Sequence, residues 1–328
     1  MTRPRSQLIS LEATPYYHCI SRCVRRSFLC GKDHFTGKSF DHRKPWLVER
    51  MALLTEVFAI DIAAYTVMSN HYHLVLHVDS DKAAQWTDDE VLQRWTRIFK
   101  GPTLIRRYLA GAPLHATEEL QLQQLITSIR EKLSSISKFM SCLNYHIARM
   151  ANAEDGCTGR FWEGRFKSQA LLDETALLSC MAYVDLNPIR AGIARNLEES
   201  DFTSIQDRIK QLQSVQKSVN TLEPTPPTKI KPKLMYFNAS LQISDKSPSI
   251  PYQLKDYLQL ADWTGRIVRS DKKESIAQNT PKLLQTLGLS EDQWSVLALQ
   301  IQKQSIAMLH GLERLEQLEN KAAKKKAA

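Results

Sequence analysis

Thr66-Val67-Met68-Ser69-Asn70-His71-Tyr72-His73-Leu74-Val75-Leu76-His77-Val78 is the stretch on which the fold turns. Its valines and leucines alternate with other side chains from residue 71 to 78, the signature of a β-strand in which residues two apart share a face. His71 and His73 therefore point the same way, close enough to hold one divalent metal ion. Two imidazoles leave most of a coordination shell open to water, a substrate oxygen or a third protein ligand, an arrangement suited to catalysis rather than to structure. The competing reading is a polar sheet face that holds no metal.

Outward from this strand the chain alternates strongly. A strand is expected over 16–24, a helix over 43–58 with Leu47, Met51, Leu54 and Phe58 in helical rhythm, and a strand over 61–68 ahead of the histidine strand. Helical sequence follows over 88–109 and 118–150, where Leu122, Ile126, Ile129, Leu133, Ile136, Met140 and Leu143 form an apolar packing stripe. After the loop 152–156, residues 165–172 read as a fourth strand and 174–187 as a helix. The order β-α-β-β-α-β-α implies an α+β fold: a ferredoxin-like antiparallel sheet with packed helices.

The last of these helices carries a second pair of chemically useful residues. Asp173-Glu174 gives it an acidic start, and Pro188 is a natural stop, so Tyr183 falls in its final turns. Asn187 lies four residues on, which puts its amide on the same face as the Tyr183 phenol. Tyr183 is read as the nucleophile, against an ordinary half-buried helix tyrosine. Among the ten tyrosines of the chain the rival is Tyr145. Asn187 reads alternatively as a cap on the helix end. His77 shares the parity of His71 and His73 but lies farther along, as a supporting or surface residue, and His18 on the first strand reads as structural or supporting.

With these residues in place the chain resembles the HUH single-tyrosine transposases and, within them, the REP-associated tyrosine transposases. The resemblance rests on Pro15-Tyr16-Tyr17-His18-Cys19-Ile20-Ser21-Arg22, on Met68-Ser69-Asn70-His71-Tyr72-His73, on Gly159-Arg160-Phe161-Trp162-Glu163-Gly164-Arg165-Phe166-Lys167, and on Ala182-Tyr183-Val184-Asp185-Leu186-Asn187-Pro188, in that order and over roughly residues 1–200. Tyr72 departs from the family pattern, which has a plainly hydrophobic residue between the histidines. The resemblance implies that His71, His73 and Asn187 bind Mg²⁺ or Mn²⁺, and that Tyr183 attacks a phosphorus of single-stranded DNA beside a hairpin. The product would be a 5′-phosphotyrosine and a free 3′-hydroxyl that can later rejoin strands. No ATP motif is needed, and none is found. A free tyrosine titrates near pH 10, so such chemistry needs a base or a neighbouring charge.

Charge fits a polyanionic partner. The 328 residues carry a formal net charge of +9. Arg22, Arg25 and Arg26 follow the first strand, and Arg160, Arg165 and Lys167 alternate with Phe161, Trp162 and Phe166. Cations for phosphates beside aromatic faces for unstacked bases are what single-stranded DNA binding requires. Arg22, Arg25, Arg26, Arg160, Trp162, Arg165, Lys167 and Arg190 are therefore the DNA-binding candidates, although at least one of the three aromatics is expected in the core. The expected partners are single-stranded DNA with a hairpin and, as an option, a second copy of the chain in a homodimer.

Six cysteines show no Cys-x-x-Cys pair and no zinc spacing, which fits reduced thiols. With no signal peptide and no membrane-length apolar run, a cytoplasmic, DNA-associated protein is expected. Residues 1–204 are assigned to the catalytic domain and the Pro/Lys-rich 205–250 to an extended linker. Residues 251–328 are assigned to a helical C-terminal extension of unknown role, so a fragment ending near 205 is expected to fold. Two alternatives remain: a DNA-hairpin-binding regulator on the same fold that does not cleave, and an RNA-binding protein, which would lead with exposed aromatics on its central strands.

Overall fold

The computed structural model describes residues 9–24, 29–33, 36–221, 230–238, 248–267 and 275–278. β1 (Tyr16–Arg22) leads into α1 (Arg43–Val57), and β2 (Ile60–Val67) and β3 (His71–Val78) follow as a hairpin. A run of helices comes next: α2 (Ser80–Gln85), α3 (Asp88–Thr96), α4 (Thr103–Leu109), α5 (Ala116–Leu133) and α6 (Ile136–Glu154). The chain then returns to the sheet as β4 (Lys167–Ala170) and continues through α7 (Glu174–Asp185), α8 (Asn187–Arg190) and α9 (Ser204–Thr221). Last come β5 (Tyr236–Phe237), β6 (Ser249–Ile250), paired in parallel, and α10 (Leu254–Arg266).

The main sheet has the order β2-β3-β1-β4, with every neighbouring pair antiparallel. This is the expected α+β sheet with helices packed on it. Two expected helices are each divided. Gly101, at φ 64°, and Pro102 separate α3 from α4, because a left-handed residue followed by proline cannot continue an α-helix. Ser135 separates α5 from α6, its side chain capping the new helix at the Lys138 N–H. The apolar stripe of the sequence runs across both helices and is buried throughout.

Each face of the sheet is covered. On one face Tyr17, Tyr72, Leu74 and Leu76 pack against Leu47, Met51 and Leu54 of α1 and against Phe139, Leu143 and Ile147 of α6. On the other, Ala63, Ala64 and Val75 meet Leu177, Met181 and Val184 of α7, Ile205 and Ile209 of α9, and Tyr257 and Leu258 of α10. The small alanines let the helices approach closely. Each large apolar side chain taken fully from water stabilises the fold by about 1.5–3 kcal/mol before entropy is counted, so both clusters are structural necessities.

The second cluster corrects the expected domain boundary. The segment 205–221 is a helix, not an extended linker: Ile205, Ile209, Leu212 and Val215 form a buried stripe on α9. A β-bulge between Ile62 and Ala64 turns the Ala63 carbonyl out of the ladder. Buried Arg208 of α9 donates to that carbonyl at 2.9 Å and to the Met235 carbonyl at 3.2 Å. The Met235 N–H in turn donates to the Ile62 carbonyl at 2.9 Å. The end of α7 is bound to the same region. Asp185 is fully buried, and its Oδ1 accepts from Ser204 Oγ at 2.5 Å and from the Ile205 N–H at 3.0 Å. Its Oδ2 accepts from the Tyr257 hydroxyl of α10 at 2.5 Å. A unit ending at residue 204 would cut through this network. The expected C-terminal helical region is represented by α10, and 268–274 and 279–328 lie outside the described residues.

Among the described residues, no helix is long and apolar enough to cross a membrane. Among the described residues the cysteines form no disulfide.

Candidate active site

Strand register builds the site. Residues directly opposite each other in an antiparallel pair share a face, and the ladder aligns Arg22 with His71, Ile20 with His73, and His18 with Val75. On one edge strand, β4, Lys167 is opposite Ile20, and on the other, β2, Thr66 is opposite His73. The face over which α7 runs thus presents His71, His73 and His18 in the middle, with Arg22 and Lys167 beside them.

Tyr72 points to the opposite face, where it is fully buried. Its hydroxyl donates to Asn144 Oδ1 at 2.6 Å, while Asn144 Nδ2 donates to Ser21 Oγ at 2.9 Å. The departure from a plainly hydrophobic middle residue therefore costs little, because the one polar atom is satisfied and the ring packs edge-on against Trp162. Between the β2 and β3 strands, the Met68–Asn70 turn is braced by Gly31. Its φ of 89° belongs to glycine, and a Cβ there would stand 3.3 Å from Ser69 Cβ.

α7 brings the tyrosine to the histidines. Asp173 caps its first turn by accepting from the Ala176 N–H at 2.7 Å, and Leu177, Met181 and Val184 fix its rotation by packing on the sheet. Tyr183 then stands edge-on to His73 at 5.7 Å between ring centroids and to His18 at 6.1 Å, and remains 44% exposed. His71 lies 4.9 Å from His73, edge-on, and His18 stacks on His73 at 5.1 Å. Four rings form one cluster with the phenol on its open side.

The hydrogen bonds of these imidazoles have a common pattern. His71 Nδ1 lies 2.6 Å from Asn70 Oδ1, which leaves Nε2 for another partner. His73, 3% exposed, has its Nδ1 2.9 Å from His18 Nε2, and its own Nε2 is buried with no hydrogen-bond partner. An orphaned buried nitrogen of this kind calls for an explanation, and a metal ligand is one. Burial pushes His18 down to about 4 and, with help from Arg22, His71 down to about 4. It pushes His73 to about 2, with His71 and His18 adding to the effect. At neutral pH all three are uncharged, the form in which imidazole binds metal. The donor set thus fits a divalent ion held through His71 and His73. Among the described residues no group of three or more His, Cys, Asp or Glu is placed to hold a metal.

Asn187 begins α8, with its Nδ2 donating to the Tyr183 carbonyl at 3.1 Å. The amide therefore caps the end of α7, and its Oδ1 is left for other partners. His77 is buried, with Nδ1 3.7 Å from Asp61 Oδ2 and its ring 4.8 Å from that of Tyr16, at the far end of the strand. Tyr145, the rival nucleophile, is 65% exposed on α6, the helix that covers the Tyr72 face.

No protein-family model matches the chain, and no curated protein matches it. Among solved structures it is similar to a REP-associated tyrosine transposase bound to a REP hairpin, at 11% identity and a TM-score of 0.34, over 72% of this chain and 99% of that one. A similarity that low leaves the site to be argued from its own atoms.

The DNA-binding candidates divide. Arg22 is half exposed at the end of β1, its Nε 3.5 Å from Glu163 Oε1, and Arg160, Arg165 and Lys167 are exposed. Arg25 and Arg26 lie outside the described residues. Two candidates are corrected. Trp162 is buried, with Nε1 donating to the Asn144 carbonyl at 2.8 Å, so its face is spent on the core rather than on a base; Phe161 is buried too. Arg190 is also buried, donating to the Ile267 carbonyl at 2.7 Å and the Thr264 carbonyl at 2.5 Å. A cation at a helix C-terminus is favourable, and Arg190 serves α10 in that way instead of a phosphate. Asn70 and the direct His18–His73 bond were not read from sequence. Asn70 carries a weak signal in its position one residue before the ligand strand, but the His18 bond joins residues 55 apart and has none.

Proposed function

We propose that this protein is a metal-dependent enzyme that cleaves and rejoins single-stranded DNA at hairpin or REP-type palindromes, with Tyr183 as nucleophile. The observation that carries the reading is the exposed Tyr183 ring set edge-on against His73, whose Nε2 is buried and unpartnered. His71 and His73 would hold a Mg²⁺ or Mn²⁺ ion through Nε2, and Asn187, one turn beyond Tyr183, would offer its Oδ1 as third ligand. Such an ion, when bound there, would supply polarisation of a scissile phosphate and neutralise charge that develops on it. Arg22 and Lys167, on the same sheet face, bind neighbouring phosphates. The exposure of Tyr183 lets a strand approach, and α7, fixed by its packing, holds the phenol for in-line attack. The Tyr183 phenol gives its proton to water as its oxygen forms a bond to phosphorus, the bond from phosphorus to the 3′-oxygen breaks, that oxygen takes a proton from water, and the strand's 5′-phosphate stays on Tyr183. Reversal by a 3′-hydroxyl rejoins strands.

The RNA-binding alternative draws no support from the central strands, where Tyr17 and Tyr72 are buried under helices. The test is covalent capture. The parent is incubated with Mn²⁺ and a library of hairpin-bearing single strands with randomised flanks. An adduct mapped to Tyr183, absent in Tyr183→Phe although that variant still retains strands, is expected. DNA attached to Tyr145, or an adduct that persists in Tyr183→Phe, refutes the assignment. Retention of hairpins by the parent with no adduct under any divalent ion supports the non-cleaving regulator instead.

A further inference from the structure

From the hydrogen bond that joins the first strand to the histidine strand, we infer that His18 is a positioning residue that fixes the tautomer of His73 and so presents the His73 Nε2 lone pair to a metal ion. This rests on the metal-binding reading above and adds a residue to it. The His73 Nδ1 and His18 Nε2 atoms are 2.9 Å apart, and only one of them carries the shared proton. If the proton belonged to His18 Nε2, neutral His73 would bear its own proton on Nε2, a buried atom with no acceptor in reach. A buried N–H without a partner costs about 1–3 kcal/mol. With the proton on His73 Nδ1, the bond to His18 is satisfied and the buried Nε2 is left as a lone pair, the only form that can ligate. His18 must then be the tautomer protonated on Nδ1.

The neighbouring ligand is held in the same sense, since His71 Nδ1 donates to Asn70 Oδ1 at 2.6 Å. Both candidate histidine ligands thus have their Nδ1–H engaged by a neighbour, an arrangement that orients metal-binding imidazoles generally. His18 sits 6.1 Å from the Tyr183 ring as well, so one side chain touches both the ligand and the nucleophile.

The test is metal affinity, measured with Mn²⁺ alone by the electron paramagnetic resonance of the free ion, on the full chain. His18→Phe keeps a ring to stack on His73 but removes the acceptor, and a loss of about 10–100-fold in affinity is expected. His18→Gln, which can present an oxygen to the His73 N–H, is expected to recover most of it. Equal affinity in the parent and both variants overturns the inference and leaves the metal site standing. No Mn²⁺ binding by the parent, or binding unaffected by His73→Ala, overturns the metal site itself and this inference with it. A readout on the unsubstituted protein guards against misfolding: two-bond ¹H–¹⁵N correlation of the histidine rings without metal. Nδ1-protonated His73 and His18 are expected, and an Nε2-protonated His73 refutes the assignment.

Discussion

Tyr257→Phe removes one oxygen atom from the second core and should cost the protein about 2 kcal/mol. The hydroxyl is fully buried and donates at 2.5 Å to Asp185 Oδ2, while the other carboxylate oxygen keeps the Ser204 hydroxyl and the Ile205 N–H. A hydrogen bond to a charged group contributes about 1.5–3 kcal/mol, and the partner left behind cannot find water. The ring stays, so no cavity larger than the lost oxygen forms, and the packing of Phe237 against it is retained. At about 2–4 °C per kcal/mol for a domain of this size, Tm should fall by about 4–8 °C. The perturbation also reaches the site, since Asp185 lies two residues after Tyr183, and the rate of adduct formation should fall more than hairpin affinity. Differential scanning calorimetry of the parent, Tyr257→Phe, Asp185→Ala and the double variant closes a cycle. A coupling of about 2 kcal/mol is expected from a direct contact. A Tm within about 1 °C of the parent, or single effects that simply add, would show that α10 is not held to α7 through this bond.

Further outcomes follow from the same contacts. His18, His71 and His73 titrate in the folded chain at about 4, 4 and 2, below the unfolded value near 6.5. Between these values the unfolded chain binds more protons, so their contribution to stability is full above pH 6.5 and is lost as pH falls through 4. The unfolding free energy from denaturant titrations should decline over that window by up to about 1.4 kcal/mol per pH unit for each histidine, less steeply in His18→Phe; a flat profile refutes the burial of the cluster. Lys167→Ala and Arg22→Ala should each reduce the log–log salt slope of single-strand binding by about 0.7. Arg190→Gln should leave that slope unchanged and lower Tm, the opposite of what a phosphate contact would do. A fragment ending at Thr203 should lack a cooperative unfolding transition, because it exposes Met181, Val184 and Val75 and strands the Asp185 carboxylate; a fragment that melts cooperatively would restore the shorter catalytic unit.

The local patterns of the chain were sufficient for the sheet and for where the proposed site residues stand on their elements. Period-two alternation placed His71 and His73 on one face, and helical spacing placed Asn187, the first residue of α8, one turn beyond Tyr183 near the end of α7, because both are consequences of short-range backbone geometry. Tertiary structure decided what distant elements do to these residues. The Gln- and Ser-rich 205–221 read as linker because its five apolar residues are diluted by polar ones; only the β2 bulge, which offers a carbonyl to Arg208, and the face left open beside α7 make it a packed helix. Arg190 and Trp162 carry the chemistry of DNA contacts, yet a helix C-terminus and the Asn144 carbonyl claim their donors first. His18 carries no pattern that joins it to His73; the β1–β3 register puts it diagonally opposite, and burial then forces a hydrogen bond between the two rings. Sequence specifies which atoms an element presents, and the packing of elements specifies which of those atoms remain free to act.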